Sequence, residues 1–280
     1  RLPVYILLVG ILFPDRPIAA GAAFIGCYLL GAVAAVGTAG LVRRTLLPGR
    51  SLPMVMELPP YRIPSVKEAL RISFDRGMSF LTNAGTVILL LCIALWWLSN
   101  YPSTPAGAEV TALRESAAMQ SDPIEANSLL ERARSLELRE SAKASYAGRL
   151  GRWVEPVLAP VGADWQLSVA VLASFAAREV FVSSLNVMVG VGQDLEDPTS
   201  MARIRGSKRD DGSPLLPPAS AAGLLVFYVL AMQCLPTLAV TRKETGGLRW
   251  ALLQLTWMTA VAWILGTATR SVMLAMGFSG

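Results

Sequence analysis

The chain contains no histidine and only three cysteines, and these two scarcities remove most familiar metal and catalytic chemistry. Without histidine there is no Ser-His-Asp triad, no HExxH zinc site and no imidazole ligand of any kind. Cys27, Cys92 and Cys234 are far apart, odd in number and free of a CxxC pair, so they supply no disulfide framework. No GxxxxGK[ST] loop occurs, so this chain is not itself a P-loop nucleotide hydrolase, and GxGxxG is missing as well. No charged leader running into a small-residue cleavage site is recognisable. Charge itself is scarce, at 16% of residues against about 25% in soluble domains. The net charge of +5 is dispersed rather than gathered in a stripe, which argues against a nucleic-acid partner.

What the chain has instead is apolar length. Hydrophobic residues make up 53% of it, and its mean hydropathy is positive. The uncharged runs 18–42, 77–98, 213–241 and 250–269 exceed the roughly 18 residues that mark a membrane-spanning helix. Residues 2–13 are apolar but too short to span alone. Arg1, rather than Met, stands directly before that run, and the chain is expected to be a piece of a longer polypeptide whose first helix has been cut. Between residues 43 and 64 the prolines forbid a continuous helix. Ser65 then opens an amphipathic helix with Val66, Ala69, Leu70 and Phe74 on one stripe and Lys67, Arg71 and Arg76 off it, the pattern of a helix lying on a membrane surface. Seven Lys or Arg residues between Arg43 and Arg76 place this loop on the cytoplasmic side. Residues 99–164 shift to Ser, Ala, Glu and Arg and are expected to form a small helical hairpin outside the bilayer. Asp122, Pro123 and Glu125 mark a helix start there, and Leu129, Leu130, Ala133, Leu136 and Leu138 give it a partly apolar face. Residues 193–214 form a second polar loop, expected to be mobile.

The most informative motif is FAAREVFVSSLN at 175–186. It sets Arg178 and Glu179 at the centre of a run that is otherwise uncharged from 165 to 192. A charge at that depth costs about 2.5–3.5 kcal/mol on insertion scales unless it is paired or faces water, so a path for a polar or ionic solute is the expected use. If every apolar run crossed fully, two basic loops would fall on opposite sides. The segment 165–192 is therefore expected to enter the membrane and return, as irregular backbone does where it lines a cavity. A second break is expected at QCLPT, 233–237. Pro236 has no N–H to offer the carbonyl of Met232, so a kink or unwound turn would set Cys234 beside a freed carbonyl, a resting place for a cation.

Four motifs in order, RLPVY at 1–5, MELPPYRIP at 56–64, FAAREVFVSSLN at 175–186 and QCLPTLAV at 233–240, resemble the carboxy-terminal membrane domain of FeoB-type ferrous iron transporters. KETG at 243–246 and the helix 250–266 follow as in that family. The resemblance implies two Gate motifs flanking the pathway, each with a cysteine. Cys234 matches the second, and the first would precede Arg1. It also implies an amino-terminal G-protein domain that these residues do not include. Hence no cofactor is expected in this chain, GTP acts only through that other domain, and Fe2+ is the transported ion. Fe2+ accepts thiolate together with carboxylate and amide oxygen, the set offered by Cys234, Glu179 and Asn186. Met232 and Ser183 are weaker candidates. Cys27 and Cys92 read as buried small hydrophobes, and Glu57 and Asp75 as interfacial residues.

The expected fold class is an all-α integral membrane protein, a multi-span helical bundle with broken or re-entrant helices and a small extramembrane helical insert. It divides into membrane helices at 1–98, the insert at 99–164 and a second Gate-type membrane region at 165–280. The expected setting is multi-pass in a bacterial inner membrane. Expected partners are Fe2+, the lipid bilayer, the missing G-protein and first membrane helices, small accessory subunits and further copies of the chain. No catalytic residue is assigned. A Gate-type transporter of another solute such as a nucleoside, and a non-transporting membrane scaffold, are the alternative readings.

Overall fold

A computed structural model describes residues 2–46, 65–102, 107–120, 122–175, 178, 180–189, 204–231 and 235–278. Among these the chain is all-α, without a strand; Lys208 and Pro214 form one isolated bridge.

Helix α1 (Leu2–Leu12) is hydrophobic on every side and buried along most of its length, with Tyr5 and Leu8 fully covered. Helix α2 (Pro17–Thr45) starts on a proline in its first turn and ends on Arg43 and Arg44, matching the preferences of helix ends. It is also apolar all round, yet Cys27 is its only buried side chain among the described residues. At about 1.5 Å per residue, its 29 residues exceed the roughly 30 Å hydrocarbon core. With the last helix of the chain, α12 (Leu248–Ala275), it is one of two helices long and apolar enough to cross a membrane, or of three if a bent pair described below counts as one span.

Helix α3 (Val66–Phe80) begins as its sequence predicts, Ser65 accepting a hydrogen bond from the Glu68 amide. It does not stop before the next apolar run. A π-helical turn, Leu81–Gly85, carries it directly into α4 (Thr86–Asn100). The surface helix and the expected span at 77–98 are thus one continuous helical run, because no proline or glycine C-cap interrupts it.

Helices α5 (Ala108–Met119) and α6 (Pro123–Ala144) pack on each other. Asp122 caps α6 by accepting from the Ile124 amide at 2.9 Å, with Pro123 in the first turn. Helix α7 (Tyr146–Leu158) runs through a 3-10 turn, Ala159–Val161, to Gly162. There the chain bends by 99° into α8 (Trp165–Ala173). Gly162 holds φ +108 and lies so close to Ser220 that a Cβ would sit 2.6 Å from that side chain, so both conformation and space require glycine.

Helix α8 ends at Ala173, and α9 (Val180–Val189) follows after a break and packs back on α8. The core lies where α10 (Pro218–Leu230) crosses α12. A Cβ at Gly223 would stand 2.6 Å from the Val161 carbonyl oxygen, and one at Gly266 would stand 2.9 Å from the Gly223 carbonyl oxygen. Small residues let these backbones approach, the usual means of helix association in a membrane.

The apolar run 213–241 is not one helix. α10 stops at Leu230, Ala231 is extended, and α11 (Leu235–Thr245) restarts four residues on. This interruption overlaps the expected break at 233–237, whose residues 233 and 234 lie outside the described ones. Pro236 is the second residue of α11, where the missing N–H costs nothing and the fixed φ suits a helix start.

The expectation of a mobile loop at 193–214 fails for its described part. Ile204 and Leu215 are buried. Arg205 donates to the Gly10 carbonyl, and Arg209 donates to those of Gly162 and Leu215. Asp210 accepts from Lys143. Residues 190–203 lie outside the described ones.

Candidate functional site: the junction of two helix breaks

Two apolar segments are broken, and a cation joins them. Arg178, in the turn between α8 and α9, donates from Nη2 to the carbonyl oxygen of Ala231 at 3.3 Å. Ala231 is the residue that ends α10 in extended conformation. The carbonyls of a helix end have no partner within their own helix, so the guanidinium meets one that the break has freed. The sequence paired Arg178 only with its neighbour Glu179. The structure gives it a long-range backbone acceptor that no local pattern announces.

The same junction is closed by neutral groups. Tyr228, on the last turns of α10, donates to Ser174 Oγ at 3.3 Å, and Ser174 donates to the Val171 carbonyl at 2.6 Å. The rings of Tyr228 and Phe181 are 4.6 Å apart and tilted. Both rings and Ser174 are buried. Tyr228 and Ser174 were missed by the sequence reading, since a hydroxyl inside an apolar helix looks the same whether it bonds locally or across the fold.

Of the three expected ligands, Asn186 is described and Glu179 and Cys234 lie outside the described residues, as do Met232 and Glu57. Asn186 is buried on α9, and neither its amide oxygen nor its amide nitrogen has a hydrogen-bond partner. On α8, the helix packed against α9, Gln166 Nε2 and Ser168 Oγ are also buried without partners. Unsatisfied polar groups are rare in packed interiors, and three on one helix pair mark it as the polar element of an apolar fold. Glu179 follows Arg178 directly, and Cys234 is three residues beyond Ala231. No group of three or more acidic, cysteine or histidine side chains gathers among the described residues.

The remaining cysteines separate. Cys27 is buried, whereas Cys92 is exposed and borders a cavity of about 270 Å³ between α4, α7, α8 and α9, with Ser183 and Ser184 on its wall. Reading Cys92 as a buried hydrophobe is therefore incorrect. It lines space that α4, α7, α8 and α9 leave unfilled. Asp75 is exposed on α3.

The fold and the broken helices define an all-α membrane protein. Comparison with known proteins gives its family. A family model described as "Ferrous iron transport protein B C terminus" matches residues 24–76, and the Gate model, described as "Nucleoside recognition", matches residues 81–248. The second covers more than half of the chain, which belongs to the Gate family in the form found at the carboxy-terminal end of FeoB proteins. Similar proteins include the Fe(2+) transporter FeoB of Leptospira biflexa, 36% identical over 94% of this chain and 35% of that protein. The Fe(2+) transport protein A/Fe(2+) transporter FeoB fusion protein of Porphyromonas gingivalis is 35% identical over 94% of this chain and 32% of its own length. The Fe(2+) transporter FeoB of Methanocaldococcus jannaschii is 30% identical over 94% and 34%. The chain thus spans about a third of the length of these relatives. No solved structure matches.

Proposed function

We propose that this chain forms the carboxy-terminal part of a ferrous-iron permease, and that Fe2+ passes the junction of the two helix breaks. The observation that carries this reading is the Arg178–Ala231 contact, which ties the segment bearing Glu179 to the segment bearing Cys234 in a chain similar over 94% of its length to proteins named Fe(2+) transporters. Glu179 adjoins Arg178 in the sequence and Cys234 lies three residues past Ala231, so a carboxylate and a thiol belong to the two segments that this contact ties together. Thiolate, carboxylate and the Asn186 amide suit a borderline cation without imidazole. Arg178 positions the two breaks and holds one carbonyl away from the ion.

In this reading α8 and α9, of nine and ten residues, form a re-entrant hairpin, since about 15 Å of helix is half the hydrocarbon core. Residues 1–98 and 165–280 are membrane regions of a multi-pass inner-membrane protein, and α5 and α6 belong to the insert outside it. A G-protein domain, further membrane helices, accessory subunits and other copies complete the transporter. The fusion of a transport protein A with FeoB in one relative favours a small accessory partner. No catalytic role is assigned to this chain.

The description "Nucleoside recognition" of the Gate model keeps one competing cargo in view. Vesicles carrying the complete transporter, under reducing conditions, test both. We expect Fe2+ uptake in preference to Mn2+, Zn2+ or a nucleoside, and its loss in Glu179→Gln with membrane expression unchanged. Normal uptake by that variant, or nucleoside uptake in place of iron, refutes the assignment.

A further inference from the structure

Helix α7 is buried along one side and exposes an apolar stripe on another. Successive residues turn by about 100° in an α-helix. Ala147, Gly148, Gly151 and Leu158 fall on one side and are buried, with Gly151 in close contact with Val169 and Trp165 of α8. Opposite them Tyr146, Leu150, Trp153 and Val157 form a stripe that is exposed, Trp153 to 78%. Arg149 and Arg152, also exposed, lie together along one flank of that stripe. A stripe of this kind with cations at its margin fits neither water nor a protein core.

The surroundings identify what it does fit. Arg149 stands over the Tyr146 ring, 5.5 Å from its centroid, and Tyr146 stacks on Trp97 of α4 at 5.5 Å. Aromatic rings beside arginine are the signature of the membrane–water boundary. Leu150 of the exposed stripe also borders the cavity of about 270 Å³, together with Leu95, Trp96, Leu172 and Val180. The 99° bend at the far end of α7 turns the chain from the direction of α7 into that of α8. Trp263 Nε1 and Arg270 of α12 hold the carbonyls of Val157, Ala159 and Pro160, fixing the helix across one of the two long apolar helices.

We propose that α7 lies in the plane of the membrane interface and binds an anionic phospholipid. Arg149 and Arg152 take the phosphate, and the cavity between α4, α7, α8 and α9 takes an acyl chain. Amphipathic helices of this design sink their apolar face about 5–10 Å below the headgroups. The bound lipid covers the approach to α8 and α9 from the bilayer, beside Ser183 and Ser184.

The test uses the full-length protein in nanodiscs of equimolar phosphatidylglycerol and phosphatidylcholine. Retained lipid is counted by native mass spectrometry. Phosphatidylglycerol should be enriched, and Arg149→Gln with Arg152→Gln should lower the enrichment about fivefold per charge removed, as for a cation near an anionic surface. The paired Lys substitutions should keep it, which separates loss of charge from loss of fold. Acyl-chain-brominated lipids should quench the fluorescence difference between wild type and Trp153→Phe. Equal retention of the two lipids, or unchanged enrichment in the Gln variant, overturns the proposal. So does an unquenched Trp153, the result if a second copy or another membrane helix covers this face.

Discussion

Asn186 concentrates the residue-scale argument, because both halves of its amide are buried without a partner. Leaving a buried polar group unsatisfied costs about 1–3 kcal/mol, and replacing it by an apolar residue of similar size removes that cost. Asn186→Leu should therefore hold or raise the thermal midpoint of the protein in detergent while abolishing Fe2+ uptake in vesicles. A variant that transports normally removes Asn186 from the path, and one that unfolds makes it a structural residue. The cysteines give a second expectation at the same scale. Cys92 borders a cavity and is exposed, whereas Cys27 is buried, so a small water-soluble maleimide should modify Cys92 well ahead of Cys27 in the solubilised protein. Cys234 should also label, and Fe2+ should slow it if the thiolate is a ligand. Labelling of Cys234 that is indifferent to metal would leave the thiol in the route and take it out of the coordination set.

At the scale of elements, the crossing of α10 and α12 depends on two glycines. A methyl group at Gly223 meets backbone rather than a flexible side-chain end, so the helices must separate to admit it. Gly223→Ala should lower stability by about 1–3 kcal/mol, the usual cost of overpacking, and Gly21→Ala, with open space around it, should not. Thermal unfolding of the two variants side by side measures the difference. How far the elements were legible follows from the range of the interactions that set them. Ser65 and Asp122 announce helix starts because a cap bonds an amide two or three residues on. The long helices α2 and α12 were visible as apolar length, and the break between α8 and α9 as charge inside an apolar run. The bend at Gly162 was written locally too, in Pro160-Val-Gly162, yet it passed as part of the insert. Pro236 was read as the cause of the break, whereas it stands second in the helix that follows it, because a proline opens a helix as readily as it kinks one, and only the stop at Leu230 decides between the two. Arg178 on Ala231 and Tyr228 on Ser174 join residues more than fifty positions apart, and no short pattern carries that information.

At the scale of the whole molecule, residues 204–216 fasten pieces that are remote in the chain. Arg205 reaches α1 through the Gly10 carbonyl, Arg209 reaches the bend through the Gly162 carbonyl, and Asp210 reaches both α6 and α8. Its carboxylate accepts from Lys143 Nζ at 2.7 Å, from Trp165 Nε1 at 3.3 Å and from Arg139 Nη2 at 3.4 Å. The bond from Lys143 is the largest cause that holds the Asp210 carboxyl below its ordinary value; burial opposes it, and the charge of Lys143, the Trp165 bond and the charge of Arg139 add to the lowering. A carboxyl whose folded value is depressed contributes stability that is complete above the unfolded value, near 3.9, and is lost as pH falls below it. The segment should therefore stay docked at neutral pH and loosen from α6 in acid below about pH 4. Since Asp210 is 44% exposed in its side chain, water and salt screen the pair, and the change should be local rather than a global unfolding. Hydrogen exchange at residues 204–216 reads this directly. Asp210→Asn should lower protection there at neutral pH, relative to the intrinsic exchange rate, to the level that wild type reaches in acid, with α10 and α12 unaffected. Protection, taken relative to the intrinsic rate at each pH, that is high and unchanged in both proteins would assign the docking to Arg205, Arg209 and the buried Ile204 and Leu215 alone.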